Sequence, residues 1–537
     1  MASRRGELVQ DPLLRLVANE VGACVAEAEA RRSARSGCRS PRNSARASRG
    51  GRPTHGAPRG RALPSCQPDG YANAIAPYPE PQEYSFELGD PLNPELDAPV
   101  AAVYYYPTAP PPHGGYPLAL VGHGATGNIS NDTAYREFYL YLIRCLAANG
   151  FIAASIRTLA TDGRGVYSAL NRKAYYLRNV KALRSELDTL GVPHSPRTVF
   201  IGHSEAGEAV LAFGADELDE FEVDLRSRVA FAPTSGSEAT AMTDMLMWGT
   251  LDGDNTDLDV INHIYREPQH LGSVIWIPGG WHGGFADGIS VAKSDPETAQ
   301  EIVDNGLSRA DQQALAAWYT VAFARWSTFG ESHLRPYLFG EVEPEIAARP
   351  VVFFRTNSNW GLPSDHFCVG NCYSFQGFAS VAPPGPPDTL SSLDPLCPHL
   401  DLGWRAIWEG GAARIRFDTQ ELTLGPEIGL KVGIATVVES IWIPSQGPVD
   451  VSVRLIYEED DASDWIDRVL EPSARVDTPA QGGVSRSRSL LRTFYFQASS
   501  FIGGESRKIS AIEVELSANG GGDVVIQMPC LFLQYLY

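Results

Sequence analysis

No run of 18 apolar residues occurs in the 537-residue chain, so no segment is expected to span a membrane as a helix. Nor does the N-terminus carry the apolar stretch of a signal peptide. The compartment stays open on this reading, leaning towards secreted or cell-envelope. Positive charge is in deficit: 44 Lys and Arg stand against 64 Asp and Glu, a formal net charge of −20. That balance argues against nucleic acid or an anionic membrane as the main partner. Paired metal-ligand spacing is missing as well. The 8 Cys are scattered, and CVGNC, with Cys368 and Cys372, lacks a second Cys or His pair to complete a zinc site. Cys368 and Cys372, with Cys397 and Cys530, suit disulfides in an oxidising compartment. Cys145, in YLIRCLAANG, reads as a buried helix residue.

Another absence is local. From Arg31 to Ala62 there is no Leu, Ile, Val, Met or aromatic residue, and residues 1–65 hold 13 Arg against 5 acidic residues. Such a segment cannot offset its ordering entropy by burial, so 1–65 is expected to be a disordered basic leader. The rest is globular in composition, with 43% apolar residues overall, and the length implies at least two domains.

Residues 71–345 alternate short apolar strands with helices. VAAVYYYP, PLALVGHG, FIAASIR, TVFIG, RVAFAP, DMLMWGT and SVIWIPGG read as strands. REFYLYLIRCLAANG, NRKAYYLRNVKALRSEL, AGEAVLAF and DQQALAAWYTVAFARW read as helices. This pattern predicts an α/β domain with a mostly parallel sheet covered by helices on both faces. Over 350–537 the pattern changes. VDVSVRLIY and SAIEVELS alternate strictly, and long helices are lacking, which predicts an antiparallel β-sandwich. That module has the size of carbohydrate-binding sandwiches; a carbohydrate ligand and a purely structural role both remain open.

The chemistry concentrates at VFIGHSEAGEAVLAF. Ser204 falls on the turn between a strand and a helix. A sharp strand-to-helix turn strains its central residue and leaves no room for large side chains two positions away, hence Gly202 and Ala206. The turn would expose the hydroxyl beside a helix N-terminus that favours negative charge. A Ser hydroxyl becomes a nucleophile only when a base takes its proton and an acid orients that base. Downstream, Asp252 in DMLMWGTLDGDN and His282 in SVIWIPGGWHGGFAD each follow a strand, at gaps of 48 and 30 residues that suit single crossovers.

These features resemble the α/β-hydrolase family, whose G-x-S-x-G nucleophile elbow appears here with Ala206 in place of the second Gly. PLALVGHGATG, GHSEAGEAV and GGWHGGF are similar to the chlorophyllase, dienelactone-hydrolase and polyester-hydrolase group. The resemblance implies Ser204 as nucleophile, His282 as base and Asp252 as acid. It also implies an oxyanion hole from the backbone N–H groups of Glu205 and Ala125, the latter following His123-Gly124. Neither cofactor nor metal is implied. Asp254 is the alternative acid, and the run Asp252, Asp254, Asp257 and Asp259 invites a calcium reading but lacks the Gly and distal Glu of an EF-hand loop. His203 is expected to point away from the site as a packing residue, and His263 and His270 to lie on the surface.

The expected activity is carboxylic ester hydrolysis through an acyl-enzyme. The short connections around Asp252 leave little room for a large lid, which suits bulky or polymeric esters. A peptidase or amidase on the same triad, and a non-catalytic glycan-binding protein on a relict hydrolase scaffold, are the competing readings.

Overall fold

A computed structural model describes residues 82–86, 100–107, 109–125, 131–158, 169–234, 242–254, 271–296 and 298–338 of the first half. Beyond these it describes 353–358, 372–376, 380–382, 403–408, 411–425, 428–436, 448–458, 461–470, 492–503, 505–519, 521–527 and 530–533. The expected leader, Cys368, Cys397, Asp257, Asp259, His263 and His270 lie outside the described residues, as do most of the connections invoked against a lid.

Among the described residues the first sheet has nine strands. They are β1 (Gln82–Phe86), β2 (Val100–Tyr105), β3 (Tyr116–Gly122), β4 (Ile152–Ile156), β5 (His194–His203), β6 (Asp224–Phe231), β7 (Thr243–Gly249), β8 (Leu271–Ile277) and β9 (Phe353–Ser358). Their order is β1-β2-β4-β3-β5-β6-β7-β8-β9. Every contact from β4 through β8 is parallel, while β1, β2 and β9 join antiparallel at the two sides. This is the mostly parallel sheet expected from the sequence. Its apolar runs explain it: all seven residues of β3, YPLALVG, are buried, which requires cover on both faces. The edge strand β9 arises past Pro350 and returns to pair with β8.

Five helices matter for the site: α1 (Asn131–Glu137), α2 (Leu140–Ala148), α3 (Ala169–Leu190), α4 (Glu205–Leu211) and α5 (Arg309–Phe329). Helix α5 is stopped at both ends by its sequence. Ser308 accepts a hydrogen bond from the Asp311 amide at its start, and Gly330 takes a left-handed conformation at φ 69° after its end. The single helix expected over REFYLYLIRCLAANG is instead broken at Phe138 and Tyr139. The Phe138 carbonyl accepts from the Asp287 amide at 3.0 Å, a tertiary contact in place of the next helical bond. Cys145 is buried in α2, as expected, and also forms a disulfide.

The remaining described strands form two antiparallel sheets. One has five strands and includes Val449–Tyr457 beside Arg507–Ser517, the two alternating segments of the sequence. The other has six and includes Gly403–Trp408, Ile428–Thr436 and Gly522–Gln527. Val451, Val453 and Val514 of the first sheet share a core with Trp408, Val432 and Val524 of the second, so the two pack as a sandwich. Among the described residues no helix is long and apolar enough to cross a membrane.

Candidate active site

Ser204 sits between the end of β5 and the start of α4, at φ 56° and ψ −125°. A non-glycine residue in this region carries strain of about 1–3 kcal/mol and persists only where its surroundings enforce it. Those surroundings are visible. The Ser204 amide donates to the Phe231 carbonyl of β6 at 2.8 Å. A Cβ on Gly202 would lie 2.1 Å from the Ala206 carbonyl oxygen, so only glycine lets the chain double back. A Cβ on Gly124 would lie 2.5 Å from that of Ser204, so the loop after β3 is pressed directly against the hydroxyl-bearing residue. Ala125, next along, is exposed.

Strands β7 and β8 deliver the other two groups. His282 opens a short turn, His282–Phe285, and its Nδ1 donates to Asp252 Oδ2 at 3.0 Å, with both side chains buried. On the other side of the ring, Nε2 lies 3.3 Å from Asp254 Oδ2, whose side chain is 56% exposed. The two candidate acids thus occupy different nitrogens of one imidazole. No hydrogen bond joins Ser204 to His282 among the described residues. His203, immediately before Ser204, does not point away as expected: its ring centroid is 4.7 Å from that of His282. It is indeed a packing residue, but it packs on the base itself, with Nδ1 bonded to Tyr139 Oη at 2.8 Å. Burial, then the neighbouring His282 charge, hold His203 well below the ordinary imidazole range, so this neighbour stays neutral.

His282 behaves in the opposite way. Burial disfavours its charged form, but the Asp252 charge and hydrogen bond, followed by Asp254 and Asp295, outweigh that and raise its pKa from 6.5 to about 9. A base raised on folding stabilises the fold fully below its unfolded value and loses that contribution as pH climbs through the folded value. The melting temperature is therefore expected to fall between pH 6.5 and about 9, a decline that His282→Gln abolishes. Thermal melts across that range measure it, and an equal decline in the variant would contradict the assignment.

Sequence reading missed the groups that hold this arrangement. Asp295, fully buried, accepts from the Gly253 amide at 2.9 Å, the His282 amide at 3.1 Å and the Gly283 amide at 3.3 Å. One carboxylate thus joins the loop of the acid to the loop of the base. Gln312 of α5, also fully buried, accepts from the Trp281 amide at 3.0 Å and donates to the Trp281 carbonyl at 2.9 Å. A Cβ on Gly284 would come within 2.2 Å of the Gln312 side chain, so GGWHGGF is glycine-rich partly because polar side chains grip its backbone. The Glu205 side chain, an oddity beside a nucleophile, is paired with Arg172 of α3. Burial raises the Glu205 pKa, and Arg172 opposes that shift.

Among the described residues no group of three or more His, Cys, Asp or Glu side chains is arranged to hold a metal ion. Cys372 and Cys530 fall in strands of different sheets of the sandwich.

No family model matches the chain, and no curated protein matches it by sequence. Among solved structures, the chain is similar to a dienelactone hydrolase from Anabaena variabilis at 16% identity, over 45% of this chain and 98% of that one, with a TM-score of 0.29. It is similar to the apo form of esterase 2 from Thermogutta terrifontis at 15% identity, over 44% and 95% of the respective chains, with a TM-score of 0.31. It is also similar to a ferulic acid esterase from Anaeromyces mucronatus at 12% identity, over 45% and 93%, with a TM-score of 0.29.

Proposed function

We propose that the protein is a serine hydrolase that cleaves carboxylic esters through an acyl-enzyme. The observation that carries this reading is the strained Ser204 turn at the end of β5, whose preceding His203 ring lies 4.7 Å from that of His282 in the buried His282–Asp252 couple. The Ser204 hydroxyl is not used to cap α4, to which it makes no side-chain hydrogen bond.

In the proposed reaction, Ser204 Oγ attacks the ester carbonyl carbon while its proton passes to His282 Nε2. Asp252 holds Nδ1–H and stabilises the imidazolium as it forms. The carbonyl oxygen becomes an oxyanion accepting from the Glu205 and Ala125 amides, and each such donor is worth about 3 kcal/mol. The imidazolium returns its proton to the departing alkoxide. Water then repeats the sequence on the acyl-enzyme, so the cycle consumes one water and needs no cofactor.

Nε2 must exchange Asp254 for Ser204 before attack, and Asp254, being exposed, is free to swing out into water. Because the free base form appears only as pH approaches about 9, kcat/KM is expected to rise with pH through that value. Asp254→Asn, which removes one carboxylate from Nε2, is expected to move the midpoint to lower pH. A flat profile from pH 6 to 10 would oppose His282 as the base.

The direct test is turnover of matched p-nitrophenyl ester and p-nitroanilide substrates by the full chain. Ester hydrolysis well above amide hydrolysis supports the reading. Preference for the anilide would make the protein an amidase on the same site, and inertness to both would remove the hydrolase reading.

A further inference from the structure

Helix α3 buries Arg172 behind the proposed oxyanion hole. Arg172 is 1% exposed, and its guanidinium spans three separate segments. Nη1 donates to the His123 carbonyl at 3.2 Å and to Thr158 Oγ1 at 3.3 Å. Thr158, just past β4, in turn donates to the same His123 carbonyl at 2.6 Å, and its amide reaches His123 Nε2 at 3.3 Å. Nη2 pairs with the carboxylate of Glu205.

Both anchored points adjoin the proposed oxyanion donors. His123 leads into Gly124, pressed on Ser204, and then into Ala125. Glu205 is the first residue of α4, directly after Ser204. We infer that Arg172 is the positioning residue that holds the two oxyanion-donor segments in register and cancels the Glu205 charge where negative charge must develop. The inference rests on the serine-hydrolase reading.

The geometry favours this over plain packing. A planar guanidinium can bind a carboxylate and a carbonyl at fixed relative angles, whereas an ammonium on a flexible stem cannot. Two of its three targets, the His123 carbonyl and the Glu205 carboxylate, belong to the segments flanking Ser204, and the third, Thr158 Oγ1, is itself bonded to the His123 carbonyl. An uncompensated Glu205 carboxylate next to the nucleophile would oppose the oxyanion through a poorly solvated path, where Coulomb effects are strong.

The test measures kcat and KM on an activated ester for the wild type, Arg172→Lys, Arg172→Met, and Arg172→Met combined with Glu205→Gln. Folding is followed by circular dichroism. Arg172→Met is expected to lower kcat about a hundredfold, the scale of one misplaced oxyanion donor, with KM within about threefold. Arg172→Lys keeps the charge but not the three-way span, and is expected to lower kcat about tenfold. The double variant is expected to recover only part of the loss, because removing the Glu205 charge relieves the oxyanion but does not restore the hold on His123.

Wild-type kcat in Arg172→Lys would overturn the inference, whether or not Arg172→Met folds. So would recovery of the double variant to the wild-type rate, which would reduce the role to charge balance, or a change confined to KM. Failure of the wild type to turn over esters is a different result and falls on the proposed function instead.

Discussion

Ser204→Ala is expected to lower kcat for ester hydrolysis by about a millionfold while leaving the fold intact. The substitution removes one oxygen from a residue whose other contacts are retained. Its amide still donates to Phe231, and its Cβ still faces Gly124. The backbone strain is unchanged, because alanine meets the same restriction at φ 56° as serine does. The melting temperature should therefore stay within a few degrees of the wild type. The residual activity would be that of a site that binds and polarises an ester without attacking it, about 10³ to 10⁴ above water. Hydrolysis of a p-nitrophenyl ester measures the loss. Unchanged turnover would show that the chemistry lies elsewhere.

Asp252→Asn carries the second largest expected effect, about 10⁴ in kcat. Asp252 Oδ2 accepts from Nδ1 at 3.0 Å in a buried pair, which fixes both the orientation of the ring and the nitrogen that carries the proton. Asparagine offers an amide that can donate to Nδ1, favouring the tautomer with its proton on Nε2, which cannot accept from Ser204. The substitution also removes the leading attractive charge opposing burial of the imidazolium, so the pKa of His282 moves down from about 9. The expected signature is therefore double: a large fall in kcat and a rising limb shifted to lower pH. Asp254 cannot replace the lost partner from its position on Nε2. A loss below tenfold with an unshifted limb would make Asp254 the operative acid.

The parts legible in the sequence share a physical reason. Strands covered on both faces are written as continuous apolar runs, so PLALVG and TVFIG mark the sheet interior directly. A turn that tolerates no Cβ is written as Gly202. The alternation in VDVSVRLIY marks a sheet with one face in a core, where Val449, Val451, Val453 and Leu455 are all fully buried. Loops ending parallel strands gather at one edge, which is why Asp252 and His282 could be paired across 30 residues.

The hidden parts are polar and non-local. Asp295 and Gln312 act by bonding backbone amides far along the chain, and nothing in KSDPET or DQQAL announces that. Arg172 looks like any basic residue of a surface helix until α3 is docked. The setting of His203 involves a broken helix, in which the Phe138 carbonyl turns to Asp287 and the Tyr139 hydroxyl bonds to the imidazole Nδ1. Edge strands β1 and β9 were equally silent, because pairing at a sheet edge depends on register rather than on periodicity.

The most direct measurement is labelling of the full chain with a fluorophosphonate, then mass mapping of the adduct. A phosphonyl group is captured covalently by a serine that has both a base and an oxyanion site beside it. The expected result is one adduct, on Ser204, formed faster as pH rises towards 9 and lost in His282→Ala. An unlabelled chain, an adduct on another residue, or labelling indifferent to His282 would contradict the account.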